Sequence, residues 1–139
     1  MKLEILVSAV NEDVDTLAER MNLQADAIIV NQCGENTYRE YTYQEHRIRC
    51  YSFAERGVGL SRNNCLMRAQ GDICLFADED IIYRPGEVRA IEAEFEKNPD
   101  ADMILFNMDV PEARANYPID GYGRVRWDNC GRYTTYSLA

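Results

Sequence analysis

Three consecutive carboxylates, Asp78-Glu79-Asp80, directly follow the apolar run at residues 73–77. A buried strand that ends in three acidic residues concentrates negative charge at the edge of a sheet. Inside a cleft that charge needs a cation, and two aspartates one residue apart offer only oxygen ligands, which suit Mg²⁺ or Mn²⁺. Such an ion can hold a diphosphate. Asp78 and Asp80 are therefore predicted metal ligands, with a solvated acidic turn as the alternative.

The residues before this strand, 55–72, predict a glycine-containing loop, then a short helix, then residues that end the helix. Ser61 or Gly59 is suited to begin the helix, and Gly71 is suited to follow its last turn. Leu60, Asn64, Met67 and Arg68 are spaced so that they would lie on one face of this helix.

The rest of the chain alternates short apolar runs with amphipathic segments. Strands are predicted at residues 3–9, 27–32, 48–53, 73–77 and 103–108. Helices are predicted at residues 13–21, from Gly59 or Ser61 to the residue before Gly71, and between Pro85-Gly86 and Pro99. The tyrosine-rich residues 38–43 are predicted to be an edge or a connecting loop. Strands that alternate with helices predict an α/β fold, a mostly parallel sheet flanked by helices.

Ligands of such sheets bind beyond the carboxyl ends of the strands. Three polar segments fall at this edge: residues 9–11 after the first strand, Asn31-Gln32 at the end of the second, and residues 78–80. Their convergence predicts one binding site.

This arrangement resembles the nucleotide-sugar half of family 2 glycosyltransferases, which have the GT-A fold. In that family a Gly-x-Ser-x-x-Arg-Asn-like helix precedes Gly-Asp or Gly-Glu, an apolar strand and an Asp-x-Asp metal motif. The resemblance covers about residues 3–108 and is most specific over residues 57–80. It implies a nucleotide-sugar-binding core at residues 1–110. Residues 111–139 would then be a crossover and the start of an acceptor-binding half that is missing here.

The resemblance also assigns the site. It implies Mg²⁺ or Mn²⁺ at Asp78 and Asp80, and it implies seven nucleotide-sugar-binding residues: Ala9, Asn11, Asn31, Gln32, Arg62, Asp78 and Glu79. Arg62 would face the nucleotide, although pairing with an acidic neighbour is the alternative. The family usually has an aspartate at the end of the second strand, where it accepts a hydrogen bond from uracil. Asn31 and Gln32 stand there instead, and an uncharged amide is expected to discriminate less among bases.

The implied function is metal-dependent binding of a nucleotide sugar, with UDP as the expected nucleotide, by part of a glycosyltransferase. The acceptor would be a saccharide or a lipid-linked saccharide. No residue is assigned as catalytic, and Asp120 and Asp128 are candidate bases only by elimination. The chain alone is expected not to transfer sugar at an enzyme-like rate, and an uncovered face near Trp127 leaves self-association open.

Composition narrows the choice of partner and compartment. A formal charge of −9 over 139 residues argues against nucleic acid. No apolar run approaches the roughly 20 residues of a membrane span, and no signal peptide is apparent. Five cysteines without a Cys-x-x-Cys pair predict reduced thiols in a cytoplasmic protein.

Other functions remain as alternatives. A non-catalytic nucleotide-sugar-binding module would have the same sequence features. A nucleotidyltransferase is disfavoured because residues 8–11 lack a glycine-rich basic loop. A phosphoacceptor receiver domain lacks its lysine, since neither Lys2 nor Lys97 is suitably placed, and a P-loop is excluded because no Gly-Lys pair exists.

Overall fold

Residues 1–109 and 123–130 are described by a computed structural model, in which the chain divides into two units, Met1–Pro99 and Asp100–Ala139. The first unit contains eight regular elements. They are β1 Leu3–Val10, α1 Val14–Met21, β2 Asp26–Gln32, β3 Thr37–Tyr43, β4 His46–Phe53, α2 Val58–Leu66, β5 Ile73–Asp78 and α3 Glu87–Lys97. The predicted domain boundary at residue 110 stays a prediction.

The five strands form one sheet in the order β3-β4-β2-β1-β5. β4, β2, β1 and β5 are parallel, and β3 pairs antiparallel with β4 at the edge. The mostly parallel sheet is confirmed, and so is the edge position of the tyrosine-rich segment. Residues 3–9 of β1 are all buried, because both faces of a parallel sheet are covered, and the strand therefore reads as a continuous apolar run.

Helices cover both faces of the sheet. The larger core joins one face to α1 and α3 and contains Ile5, Val7, Leu17, Ile29 and Val88 among others. The smaller core lies under α2 on the opposite face and consists of Leu6, Ile28, Val30 and Cys65. Successive residues of a strand alternate between these two cores, so residues on the same face of the sheet are two positions apart.

α1 and α3 were predicted correctly, and local chemistry explains their ends. Asp13 begins α1, where its carboxylate accepts a hydrogen bond from the Asp15 backbone N–H at 3.1 Å. Asn22 ends the helix in the left-handed conformation, at φ 51°. Gly86 precedes α3 with φ 85°, a conformation that glycine adopts without steric cost.

The predicted limits of α2 are wrong, and two of the four residues predicted to share a face, Met67 and Arg68, lie beyond its end. The helix begins after Gly57, not at Gly59 or Ser61, and ends at Leu66. Its buried residues are Ser61 and Cys65, whereas Met67, directly after the helix, is 82% exposed. The Ser61 hydroxyl donates to the Val30 carbonyl at 3.4 Å, so the helix packs closely on the sheet. Small residues permit this approach, and a prediction from apolar spacing favours large ones instead.

Gly71 is needed for a different reason than the one predicted. It lies five residues beyond the end of α2, and a Cβ atom there would stand 2.8 Å from the Glu4 Cβ. Glu4 and Arg49 form a buried ion pair at 2.6 Å, with side chains that are 2% and 6% exposed. The same carboxylate accepts hydrogen bonds from the Gln70 and Gly71 backbone N–H groups at 2.6 and 3.3 Å. Close approach of the α2–β5 loop to β1 therefore requires glycine at position 71.

The predicted strand at residues 103–108 is also wrong, because those residues form no regular secondary structure. An apolar run indicates burial, but a strand also requires a hydrogen-bonded neighbour that the run itself does not reveal. Asp120, most of the predicted crossover and residues 131–139 lie outside the described residues. Within the described residues, no helix has the length and apolarity to cross a membrane.

All five cysteines lie in the described residues and are free; Cys50 and Cys65 are buried, whereas Cys33, Cys74 and Cys130 are partly exposed. Burial raises the pKa of the Cys50 and Cys65 thiols to about 12, so both remain protonated at neutral pH. The Cys65 thiol donates to the Val7 carbonyl at 3.5 Å and acts as a small core residue.

Candidate functional site

A cavity of about 530 Å³ lies at the carboxyl ends of β1, β2 and β5. We call it the first cavity. Its lining residues are Ser8, Val10, Glu12, Gln32, Val58, Asp78, Glu79 and Asp80. The three consecutive carboxylates thus line a concave surface at the edge where parallel sheets bind ligands.

Strand register explains which side chains line the first cavity. Ser8 of β1 lies opposite Asp78 of β5, and Val10 lies opposite Gln32 of β2. Side chains opposite each other share a face, so these four lie on the α2 side. Ala9 is completely buried in the core on the other face, so only its backbone could serve the site.

Sequence reasoning missed Ser8, Glu12 and Val58. Period-two alternation could have identified Ser8, which lies on the same strand face as Val10, but not Glu12, because β1 ends at Val10 and Asn11 has a positive φ. Val58 is the first residue of α2, and no signal in the sequence marked it as facing the carboxylates.

The carboxylates and Ser8 fit a hard cation that brings further ligands with it. The Ser8 hydroxyl is buried and has no hydrogen-bond partner, although Ser8 lines the acidic cavity. A buried hydroxyl without a partner is costly, and a bound oxygen-rich ligand would satisfy it. The described residues contain no group of three His, Cys, Asp or Glu side chains that could hold a metal. Two carboxylates are nevertheless enough for Mg²⁺, which retains waters and binds substrate phosphates.

Arg62 of α2 contacts one of the predicted metal ligands. Its guanidinium donates to the Asp78 Oδ1 at 3.1 Å, and the two side chains are 30% and 38% exposed. The alternative raised from sequence, pairing with an acidic neighbour, therefore occurs; Arg62 contacts a residue that lines the first cavity but does not line the cavity itself. The guanidinium is only partly buried, and its planar fork of donors is of the kind that suits a phosphate.

A second cavity of about 670 Å³ lies on the α1 side of the β2 end. Asn11 and Asn31 line it, together with Glu12, which borders both cavities. The predicted site residues are thus divided: Gln32, Asp78, Glu79 and Asp80 line the first cavity, and Asn11 and Asn31 line the second. Asn31 and Gln32 are adjacent in a strand, so their side chains point to opposite faces.

The two amides at the end of β2 are hydrogen-bonded to the backbone. The Asn31 side chain accepts from the Glu12 N–H at 3.1 Å and donates to the Glu12 carbonyl at 2.9 Å. The Gln32 side chain accepts from the Gly57 N–H at 2.6 Å and donates to the Gly57 carbonyl at 3.3 Å. Each amide therefore bonds both backbone polar groups of a single residue.

Two solved structures share this fold. They are crystal structures of S. aureus TarS 1–349, one of them in complex with UDP-GlcNAc. The TM-scores are 0.63 and 0.61, each at 16% identity and over 85% of this chain. The chain spans only 37% and 39% of the two TarS chains. At this identity the likeness establishes the fold, which is GT-A.

Among curated proteins, none matches the chain significantly. A sequence model of glycosyl transferase family 2 matches residues 5–134. The match includes all but the first two residues of the sheet, the helix that carries Arg62 and the carboxylates at the end of β5. Because it spans nearly the whole sequence, this chain belongs to glycosyl transferase family 2.

Proposed function

We propose that the chain binds a nucleotide-sugar donor in the first cavity, as the donor-binding part of a glycosyltransferase. The observation that carries this proposal is the placement of Asp78, Glu79 and Asp80 in one cavity with the unpartnered Ser8 hydroxyl. Family membership and the fold shared with TarS, one structure of which contains UDP-GlcNAc, support it. UDP is the nucleotide we expect.

Asp78 and Asp80 are the proposed ligands of a Mg²⁺ or Mn²⁺ ion that reaches the cavity with the diphosphate. Such an ion would offset the negative charge that develops on the diphosphate as the sugar leaves. The chain's own contribution is to hold carboxylates at fixed positions on the end of a buried strand, and a preorganised site needs little rearrangement during the reaction.

Calorimetric titration with UDP tests this proposal, once with Mn²⁺ and once with excess chelator. We expect saturable binding with Mn²⁺ and none in chelator, because three carboxylates repel a free diphosphate. Absence of UDP binding in Mn²⁺ would defeat the proposal. Release of nucleotide from UDP-sugars, measured with and without simple sugar acceptors, then separates a transferase from a module that binds donor only.

Replacing Arg62 with alanine should have opposite effects on the two ligands. We expect UDP binding in Mn²⁺ to weaken roughly 10- to 100-fold, because a hydrogen bond to a charged group is lost. Binding of Mn²⁺ without nucleotide should tighten, by no more than about fivefold, because a partly exposed ion pair is worth at most about 1 kcal/mol. Calorimetry with each ligand measures both effects.

Arg89→Ala is the control, because Arg89 is exposed on α3 and its removal changes net charge equally. Neither affinity should change in that variant. If Arg62→Ala left UDP affinity unchanged, Arg62 would be only a structural partner of Asp78.

A further inference from the structure

The two amides that end β2 hold the two loops beside the first cavity. Asn31 bonds the backbone of Glu12, in the loop between β1 and α1. Gln32 bonds the backbone of Gly57, immediately before α2. These loops also contain Asn11 and Gly57 at positive φ, 53° and 145°. Such backbone conformations persist where surrounding contacts specify them.

This pattern requires amides. An amide carries both a donor and an acceptor, whereas an ionised carboxylate only accepts. Aspartate or glutamate at position 31 or 32 could bind the N–H of the same loop residue, but its second oxygen would face a carbonyl oxygen. Where the family pattern has an aspartate, this chain has Asn31 and Gln32. The backbone contacts that these two side chains make explain why amides are found there.

The loops that the amides hold also shape the proposed donor site. Three residues at the ends of these loops line the first cavity: Val10, the last residue of β1, Glu12 in the first loop, and Val58, directly after Gly57. The second loop also sets where α2 begins, and α2 places Arg62 at 3.1 Å from Asp78. Displacing either loop would move a cavity wall without removing a carboxylate.

We propose that Asn31 and Gln32 are positioning residues that fix these two loops, and that neither side chain reads the nucleobase. The proposal rests on the proposed function, since it concerns the walls of the donor site. It replaces the sequence-based hypothesis that one of the two amides substitutes for the uracil-binding aspartate.

The experiment uses Asn31→Leu and Gln32→Met, which keep side-chain size and add no charge near the diphosphate. UDP, CDP and GDP are titrated in Mn²⁺, and backbone amide hydrogen exchange is measured without ligand. We expect each variant to bind all three nucleotides weaker by the same factor, at least about fivefold. Exchange should accelerate locally, at Glu12 in Asn31→Leu and at Gly57 in Gln32→Met.

Asn98→Leu is the control, because Asn98 also uses its amide on backbone, at the end of α3. It should leave nucleotide affinity and both exchange rates unchanged. If the neutral variants do not fold, Asn31→Asp and Gln32→Glu provide a second pair that keeps the hydrogen-bond acceptor. Thermal unfolding of this pair shows whether its members are folded. In that pair, an unchanged affinity ratio among the three nucleotides supports the proposal, whereas an equal loss by itself does not, because the added charge repels every diphosphate.

Three results would overturn the proposal. One is a changed ratio among UDP, CDP and GDP, which would show that an amide contacts the base. Another is lowered thermal stability with unchanged affinity, and the third is unchanged exchange at Glu12 and Gly57. If the unaltered chain bound no nucleotide, the proposed function would fail instead, and the exchange rates would still decide whether the amides hold the loops.

Discussion

Asp80→Ala is expected to abolish the Mn²⁺ dependence of UDP binding and to remove most of the affinity. Asp80 lies in the turn directly after β5 and lines the first cavity with Asp78. Residues that only support a metal ligand typically contribute 10- to 100-fold to metal affinity. Loss of a direct ligand from a site with two carboxylates should therefore cost at least about 100-fold.

Calorimetric titration with UDP, in Mn²⁺ and in chelator, measures this effect. Glu96→Ala is the matched control, because it removes one negative charge from an exposed position near the end of α3. UDP affinity in that variant should equal that of the unaltered chain. Equal affinity of Asp80→Ala and the unaltered chain in Mn²⁺ would show that Asp80 binds no metal.

Glu4→Gln should lower the free energy of unfolding more than any other substitution proposed for this chain. The Glu4–Arg49 pair is almost completely buried, so neutralising Glu4 leaves the Arg49 guanidinium charged without a counter-ion. Breaking such a pair typically costs about 3–5 kcal/mol in the free energy of unfolding. Adding Arg49→Met to Glu4→Gln should recover part of that loss, because the double variant buries no unpaired charge. Urea unfolding of the two single variants and the double variant measures the coupling.

Arg39→Gln is the control for this comparison. Arg39 pairs with Asp15 at 2.6 Å on the surface, where the two side chains are 60% and 47% exposed, so its loss should cost at most about 1 kcal/mol. If Glu4→Gln cost no more than Arg39→Gln, the buried pair would contribute little to stability.

The ends of the central strands could be predicted, because the carboxyl ends of parallel strands lie at one edge of the sheet and polar residues follow them there. The end of β5 and the carboxylates after it follow from an apolar run that stops at polar residues. β2 ends at Gln32, as its predicted strand did. The two central strands are covered on both faces, and continuous apolar runs therefore marked their positions.

The packing of α2 and the role of the β2 amides could not be predicted, for a shared reason. Ser61 and Cys65 are buried because they are small enough for the helix to approach the sheet. A search for regularly spaced apolar residues does not detect small side chains of this kind. Asn31 and Gln32 bond residues 19 and 25 positions away. Such long-range partners are absent from any local pattern. The predicted strand at residues 103–108 was wrong for the same reason, because the sequence does not show whether a neighbouring strand is available to pair with it.

The strand order β3-β4-β2-β1-β5 constrains how the chain can fold during synthesis. Leu3 of β1 pairs with Ile73 of β5, 70 positions later, and closing a loop of that length costs about 4 kcal/mol of chain entropy. β3 and β4, in contrast, are joined by a turn of only Gln44 and Glu45. At ribosomal rates, roughly 2–10 s separate the synthesis of β2 from that of β5. Throughout that interval β1 has one unpaired apolar edge, the kind of surface on which nascent chains aggregate or recruit chaperones.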